Sequence, residues 1–391
     1  MKRIADERIL FESPYPEAVF CYTPSLCRGF DGRLLAGFDL GGPGTVRLEG
    51  PRSDSGDCAS GNQFRVLLSD DDGAGWRESR TRLPMLHAMM FRAGGALYAL
   101  GQSGRLVISR SVDNGESWSE VSVLERDHMW HQSACRVDFR HGNVYVVYEQ
   151  RIPGAPWPGV SPVLMAAGEE ADLCDPASWR FSEPFRAEAL FAELGITHFG
   201  GGSVGVLETN VIRIYDREHL YYDPEDRTLL LLMRAETGLG NVGAVLRGIE
   251  SPDGALRIEP LRSVSGGKFF LLPFPGGQMK FHIDYDAESG LYWMVASPKS
   301  DGFRTPGVPW YEACGERRRL ELFYSRNGLE FRSAGVVAEG LGKLDSRHYA
   351  SLLFDGSDLL VFARSGDSRA KTLHDGNLLT LHRVKNFRDL V

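Results

Sequence analysis

Twelve side chains of this 391-residue chain belong to types that move protons, attack carbon or hold anions. Asp57 and Glu208 are carboxylates, Tyr22 and Tyr349 are phenols, and Arg234, Arg317 and Arg364 are guanidinium cations. His87, His131, His282 and His348 carry imidazoles, and Lys280 an amine. Carboxyl and imidazole groups serve as general acids or bases, and a phenol, with an ordinary pKa of about 10, attacks only when a neighbour takes its proton. Guanidinium groups hold and orient anions. All twelve stand at or near the start or end of short apolar runs, or just before one, so the question is which elements gather them.

Those runs are rich in β-branched and aromatic residues and are punctuated by Gly, Asp and Asn, as antiparallel hairpins are. They fall into six sets. First runs begin near Tyr22, His87, His131, Glu208, Lys280 and His348, at spacings of 65, 44, 77, 72 and 68 residues, and the step from His348 round through the C-terminus to Tyr22 is again 65. Two turns, Ser69–Trp76 and Ser111–Trp118, both read S-x-D-x-G-x-x-W, and weaker copies follow at Asp175–Trp179, Ser251–Gly254 and Ser325–Gly328. In such a turn Asp and Ser bond nearby amides, Gly takes positive φ and Trp packs beneath the hairpin. The aspartates at 70–72 lack the spacing and closing Glu of an EF-hand, so no metal is assigned there.

Fourth runs start at Trp76, Trp118, Trp179, Leu256 and Leu329, and the sixth set lacks one. The N-terminal segment Arg8–Ser13 fills that place, which predicts one all-β domain over residues 1–391: a six-bladed propeller of four-stranded antiparallel blades, with the N-terminal strand completing the C-terminal blade. Two packed β-sandwiches are the alternative, but they give no reason for recurring turns. Short helices are expected at Glu169–Leu173 and Ala187–Leu194. Because successive strands reverse, starts of first strands, ends of second strands and starts of third strands share the face away from the S-x-D-x-G-x-x-W turns. All twelve residues, with Glu149 and Asn210, fall on that face, the default location of a site.

At these residues the chain resembles the sialidase (neuraminidase) superfamily of glycoside hydrolases, whose Asp-box (BNR) repeats match the turns. The resemblance implies that Asp57, with Asp54 as fallback, is the general acid/base, that Tyr349 in Tyr349-Ala350-Ser351-Leu352 is the nucleophile, and that Glu208 in Leu207-Glu208-Thr209-Asn210 is its partner. It implies further that Arg234 and Arg317 hold a substrate carboxylate. One departure stands out: the family's first arginine is replaced within Tyr22-Thr23-Pro24-Ser25-Leu26, and neutral Tyr22 cannot supply that charge. His87, His131, Lys280, His282, His348 and Arg364 then point to a remodelled substrate pocket for a terminal, acidic sugar. Each has a scaffold reading beside the functional one, and Trp130, Trp157, Trp293 and Trp310 serve either as stacking platforms or as core.

The function expected is a retaining exo-glycosidase acting on an oligosaccharide or glycoside. A uronate lyase and a noncatalytic glycan-binding propeller are the alternatives. No cofactor and no metal are expected. A net charge of −8 from 44 basic and 52 acidic residues, without a basic stripe, argues against a nucleic-acid partner. No apolar run is long enough to span a membrane, and the opening Met-Lys-Arg-Ile-Ala-Asp-Glu-Arg lacks the apolar core of a leader, so a cytoplasmic location is expected. The six cysteines form no CxxC pair and are assigned no chemistry.

Overall fold

A computed structural model describes residues 3–54, 61–300 and 316–391, and the strands among them form six antiparallel sheets. Blades I to VI follow the chain, and each runs from an innermost first strand to an outermost fourth. The innermost strands are Phe20–Cys21 with Ser25–Arg28 in blade I, Leu86–Ala93 in II, Trp130–His131 with Asp138–Arg140 in III, Gly205–Ile212 in IV, His282–Asp286 in V and Ser346–Asp355 in VI. Blade VI is completed from the other end of the chain: Asp6–Glu12 pairs antiparallel with Leu378–Val384 and covers an edge that would otherwise be open. The expected closure of the ring is therefore observed.

Alternating apolar residues on each blade bury against the next blade, so the core is divided among six seams rather than concentrated in one centre. Val19, Phe38, Leu360 and Phe362 fill the seam between blades VI and I, for example, and Trp293, Val295, Leu352 and Val361 that between V and VI. The turns work as their residue types dictate. Ser111 Oγ donates to Asp113 Oδ1 (2.8 Å) and accepts from Gly115 N (2.9 Å), while Ser117 N donates to Asp113 Oδ1 (2.9 Å). The Ser69–Trp76 turn repeats this, with Gly75 N on Asp71 Oδ1 (2.7 Å), and the weaker copy at Ser325 keeps Gly328 N on Ser325 Oγ (2.9 Å). Asp71 and Asp113 thus serve turn amides.

Three local expectations are corrected. Glu169–Leu173 forms turns, not a helix, whereas Ala187–Glu193 is α-helical as expected. Trp76 and Trp118 end turns rather than starting strands: the outer strands begin at Arg77 and Ser122. In blade V the outer strand begins at Arg332, three residues later than expected.

Replacing buried Ser111 with Ala leaves the Gly115 amide without its acceptor. The variant should lose about 1–3 kcal/mol in urea unfolding, with the opposite face of the propeller unchanged.

Candidate functional site

The geometry of the site begins in the backbone. Innermost strands II, IV and VI each contain one extra residue against their partner: the pairings Leu86↔Gln102 and Met89↔Leu100, Leu207↔Arg234 and Asn210↔Leu232, and His348↔Arg364 and Ser351↔Phe362 each skip two residues on one strand and one on the other. These are β-bulges, which re-aim side chains. Their first residues are His87 (φ 54°), Glu208 (φ 57°) and Tyr349 (φ 52°). A left-handed conformation at non-glycine residues costs of order 1 kcal/mol or more and persists only where the surroundings enforce it.

Fully or nearly fully buried ionisable groups of the preceding blades do the enforcing. Asp39, from the second strand of blade I, accepts from His87 N through Oδ1 (3.1 Å). Glu149, from the second strand of blade III, accepts from Thr209 N (3.2 Å) and Thr209 Oγ1 (3.0 Å) through Oε1. Lys280, from the start of blade V, donates from Nζ to Ala350 O (2.6 Å). Burial pushes the Asp39 and Glu149 carboxyls up and the Lys280 ammonium down to about 8.

Tyr349 and Glu208, 141 residues apart in sequence, meet at the axis. Tyr349 Oη donates to Glu208 Oε1 (2.6 Å), and Arg234 Nη1 donates to both Tyr349 Oη (2.6 Å) and Glu208 Oε2 (3.3 Å). Glu236 Oε2 holds the other arm of Arg234 (2.7 Å). Burial raises the Tyr349 phenol above its usual value, against the pull of Arg234 and Arg317. Two more guanidinium groups face the same ring: those of Arg317 and Arg364 lie 5.5 and 5.4 Å from its centroid. Arg317 Nη1 donates to His348 Nδ1 (3.1 Å), and burial with two neighbouring arginines lowers Arg317 to about 10.

Arg364 lies 4.1 Å over the Tyr22 ring. A cation from the second strand of blade VI thus lies against Tyr22. Tyr22 Oη donates to Asp375 Oδ1 (2.9 Å), and Arg364 Nη2 donates to His374 O and lies 3.1 Å from His374 Nδ1. Tyr22 then leads edge-to-face to His87 (6.5 Å), His87 to His131 (6.0 Å) and His131 to the half-exposed Trp157 (5.4 Å). His131 Nδ1 is 3.3 Å from Glu149 Oε2. Burial depresses the imidazole and raises the carboxyl, so both shifts favour the neutral forms over an ion pair. Through Glu149 and Thr209 the contacts return to Glu208 and close a ring around the axis.

Nine of the twelve sequence-derived residues therefore cluster here: Glu208, Tyr349, Arg234, Arg317, Tyr22, His87, His131, His348 and Arg364. Lys280 lies beneath them as a buried support. His282 is displaced: its Nδ1 accepts from Leu352 N (3.4 Å), and it lines a cavity of about 640 Å³ with Cys135, Arg136 and Asp284 towards the opposite face. That cavity is separate from the Tyr349 site. Asp57 lies outside the described residues, and the fallback Asp54 is exposed with its amide on Ser103 Oγ (2.9 Å). Trp130 and Trp293 are core, and Trp310 falls outside the described residues.

Asp39, Glu236, Gln102 and Asp375 were not expected. A single acid ending an apolar run, as in Leu34–Gly41 and Thr228–Glu236, was the available signal.

No family model and no curated protein matches the chain. Solved structures do. A *Penicillium chrysogenum* α-L-arabinanase, complexed with arabinobiose, aligns over 98% of both chains at TM-score 0.54 and 13% identity. *Trypanosoma rangeli* sialidase aligns over all of this chain and 61% of its own at TM-score 0.57 and 16% identity. The GH93 α-L-arabinofuranosidase of *Fusarium graminearum* aligns over 97% and 98% at TM-score 0.53 and 12% identity. The chain has the six-bladed fold of sialidases and arabinanases. At these identities the likeness concerns the fold.

Because burial raises the Glu149 carboxyl, the unfolded chain ionises at this position before the native one does. Its contribution to stability is therefore full below the ordinary carboxyl pKa and is lost as pH rises towards the raised native value. Glu149→Gln, which keeps an acceptor for Thr209, should remove that slope and melt no lower than the parent at pH 7. Glu149→Ala, which abandons Thr209 N, should melt several degrees lower, as read by scanning calorimetry between pH 4 and 8.

Proposed function

We propose that the protein is a retaining exo-glycosidase that removes a terminal sugar bearing a carboxylate. The observation carrying this reading is the charge balance at Tyr349. Arg234 is matched by Glu208 and Glu236, but among the described residues neither Arg317 nor Arg364 has a carboxylate within ion-pair distance. Sequestered guanidinium groups without counter-ions are costly, and a substrate carboxylate would supply the missing charge with charge-assisted hydrogen bonds. The neighbouring structures bear on the class of ligand, since one holds arabinobiose and another sialic acid. The excess of arginine favours an anionic sugar over a neutral one.

In the chemistry this implies, Tyr349 Oη attacks the anomeric carbon as its proton passes to Glu208 Oε1, 2.6 Å away. The bond to the leaving oxygen breaks, and that oxygen takes a proton from an acid, the role assigned to Asp57. Arg234, 2.6 Å from Oη, offsets negative charge developing on the phenol. Water, deprotonated by the same acid/base, then attacks the glycosyl-tyrosine. The phenol leaves and recovers its proton from Glu208. Without that carboxylate a phenol raised by burial would be inert at neutral pH, which also weighs against Tyr349 as the free base of a lyase.

The test is a panel of aryl glycosides of sialic, glucuronic and galacturonic acid and of arabinofuranose, followed by fluorophore release, with uronate polysaccharides followed by ultraviolet absorbance. An anionic glycoside should be hydrolysed, and Tyr349→Phe should lower kcat by roughly a thousandfold or more with binding retained. Arg317→Leu should raise KM for the anionic sugar about tenfold or more. Turnover of the arabinofuranoside alone, or appearance of an unsaturated uronate, would replace this reading.

A further inference from the structure

A second cavity, of about 440 Å³, lies between residues 152–160, the helix Ala187–Glu193 and residues 196–205. Residues 152–159 follow a second strand and residues 196–204 lead into a first strand, so the cavity opens on the face that carries Tyr349. Ile152, Ala155, Val160, Ile196 and Val204 give it a mainly aliphatic lining. Of its two ionisable lining groups, Glu188 is paired with Arg186, and burial lowers His198, which favours the neutral ring. An apolar cavity of about 150 Å³ accommodates benzene, so this one has room for a larger group. We propose that it binds an apolar aglycone, an aryl or alkyl group attached to the anionic sugar, so that the substrate is an amphipathic glycoside rather than an oligosaccharide. The proposal deepens the reading above and rests on it for the place where the glycosidic bond breaks.

The cavity is continuous with the reacting centre on two sides. Its lining includes Gly205, three residues or about 10 Å before Glu208 on the same inner strand. Pro158 packs on Gly205 so closely that a Cβ there would lie 2.3 Å from Pro158 Cγ, and the preceding Trp157 stands edge-to-face to His131 (5.4 Å) in the wall of the site. The loop tip at Trp157 and Pro158 therefore borders both. On the other flank, Phe199 N donates to Thr237 O (2.8 Å), next to the Glu236 that holds Arg234. Both Trp157 and Phe199 are about half-exposed, so apolar surface continues along the rim. The direction of the reaction agrees. A group displaced by Tyr349 departs from the side of the anomeric carbon opposite the attacking phenol, and Tyr349 belongs to blade VI. Blade III, which carries residues 152–160, stands across the axis from blade VI in a six-bladed ring. With the carboxylate at Arg317 and Arg364, the aglycone extends towards blades III and IV. A second sugar there would lose water from its hydroxyl groups against Ile152, Val160 and Ile196, whose side chains offer no hydrogen bonds in return.

The experiment uses the full chain and three glycosides of the sugar that the parent releases fastest: the methyl glycoside, the octyl glycoside and a disaccharide with glucose. Methanol and octanol are leaving groups of similar acidity, so a difference between the first two reports binding of the chain. The parent should turn over the octyl glycoside with kcat/KM about tenfold or more above the methyl one. Ala155→Trp, at an exposed position, fills the cavity, and Ile152→Asn makes its lining polar; each should bring the octyl-to-methyl ratio to within about threefold of one. If one variant fails to fold, the other decides; if neither folds, the parent's own ratio does. A parent ratio already within about threefold of one, a disaccharide preferred to the octyl glycoside, or an octyl preference that persists in the folded variants would overturn the proposal and leave the hydrolase reading standing. If the parent hydrolyses nothing, that reading fails, and saturation-transfer NMR with octyl glucuronide decides this one. Saturation of the alkyl protons by the parent that falls with Ala155→Trp supports it; saturation that is absent from the parent, or unchanged in the variant, overturns it.

Discussion

The structure turns on a backbone constraint. Left-handed residues at the starts of alternate inner strands are unfavourable in isolation, and each is tied to a fully or nearly fully buried group one blade earlier. Ring closure makes that tie possible. A blade in an open sheet could slide relative to its neighbour, whereas six blades locked by an N-terminal strand hold Glu149 against Thr209 and Lys280 against Ala350 at hydrogen-bond distance. The short contact between Tyr349 and Glu208, from blades that are not adjacent, follows from this arrangement. It brings together two side chains whose backbones are each fixed from behind.

Electrostatics divides the site into two halves with different characters. On the side of blades IV to VI, three guanidinium groups gather on the Tyr349 ring and its hydroxyl. On the side of blades I to III, the wall is aromatic, and burial shifts its pair His131–Glu149 towards the neutral forms. Positive charge is thus concentrated on one side of Tyr349. Such preorganisation needs no reorientation of protein dipoles as the reaction proceeds.

The number of blades, the closing strand and the shared face were readable in the sequence because strand period and turn chemistry are local signals. The Ser111–Trp118 turn declares itself within eight residues. Glu208, Tyr349 and Arg234 could be placed on one face by strand alternation, but their mutual distances could not, since those depend on three bulges that hydrophobic pattern does not reveal. A bulge shifts the register by one residue while leaving composition unchanged. For the same reason Asp39 and Glu149 read as strand-end acids rather than supports. Lys280 and His282 illustrate the limit from the other side: both stand at the start of blade V, yet one supports the floor beneath Tyr349 and the other looks into the cavity behind it.

The most direct measurement is intact-protein and peptide mass spectrometry after incubation with an activated fluoro-sugar of the anionic glycoside the protein turns over, which slows release of a glycosyl-enzyme. The account predicts a single adduct of one sugar mass on the peptide containing Tyr349, absent from Tyr349→Phe and greatly slowed in Glu208→Gln. An adduct on another residue, or inactivation that proceeds equally in Tyr349→Phe, would contradict it.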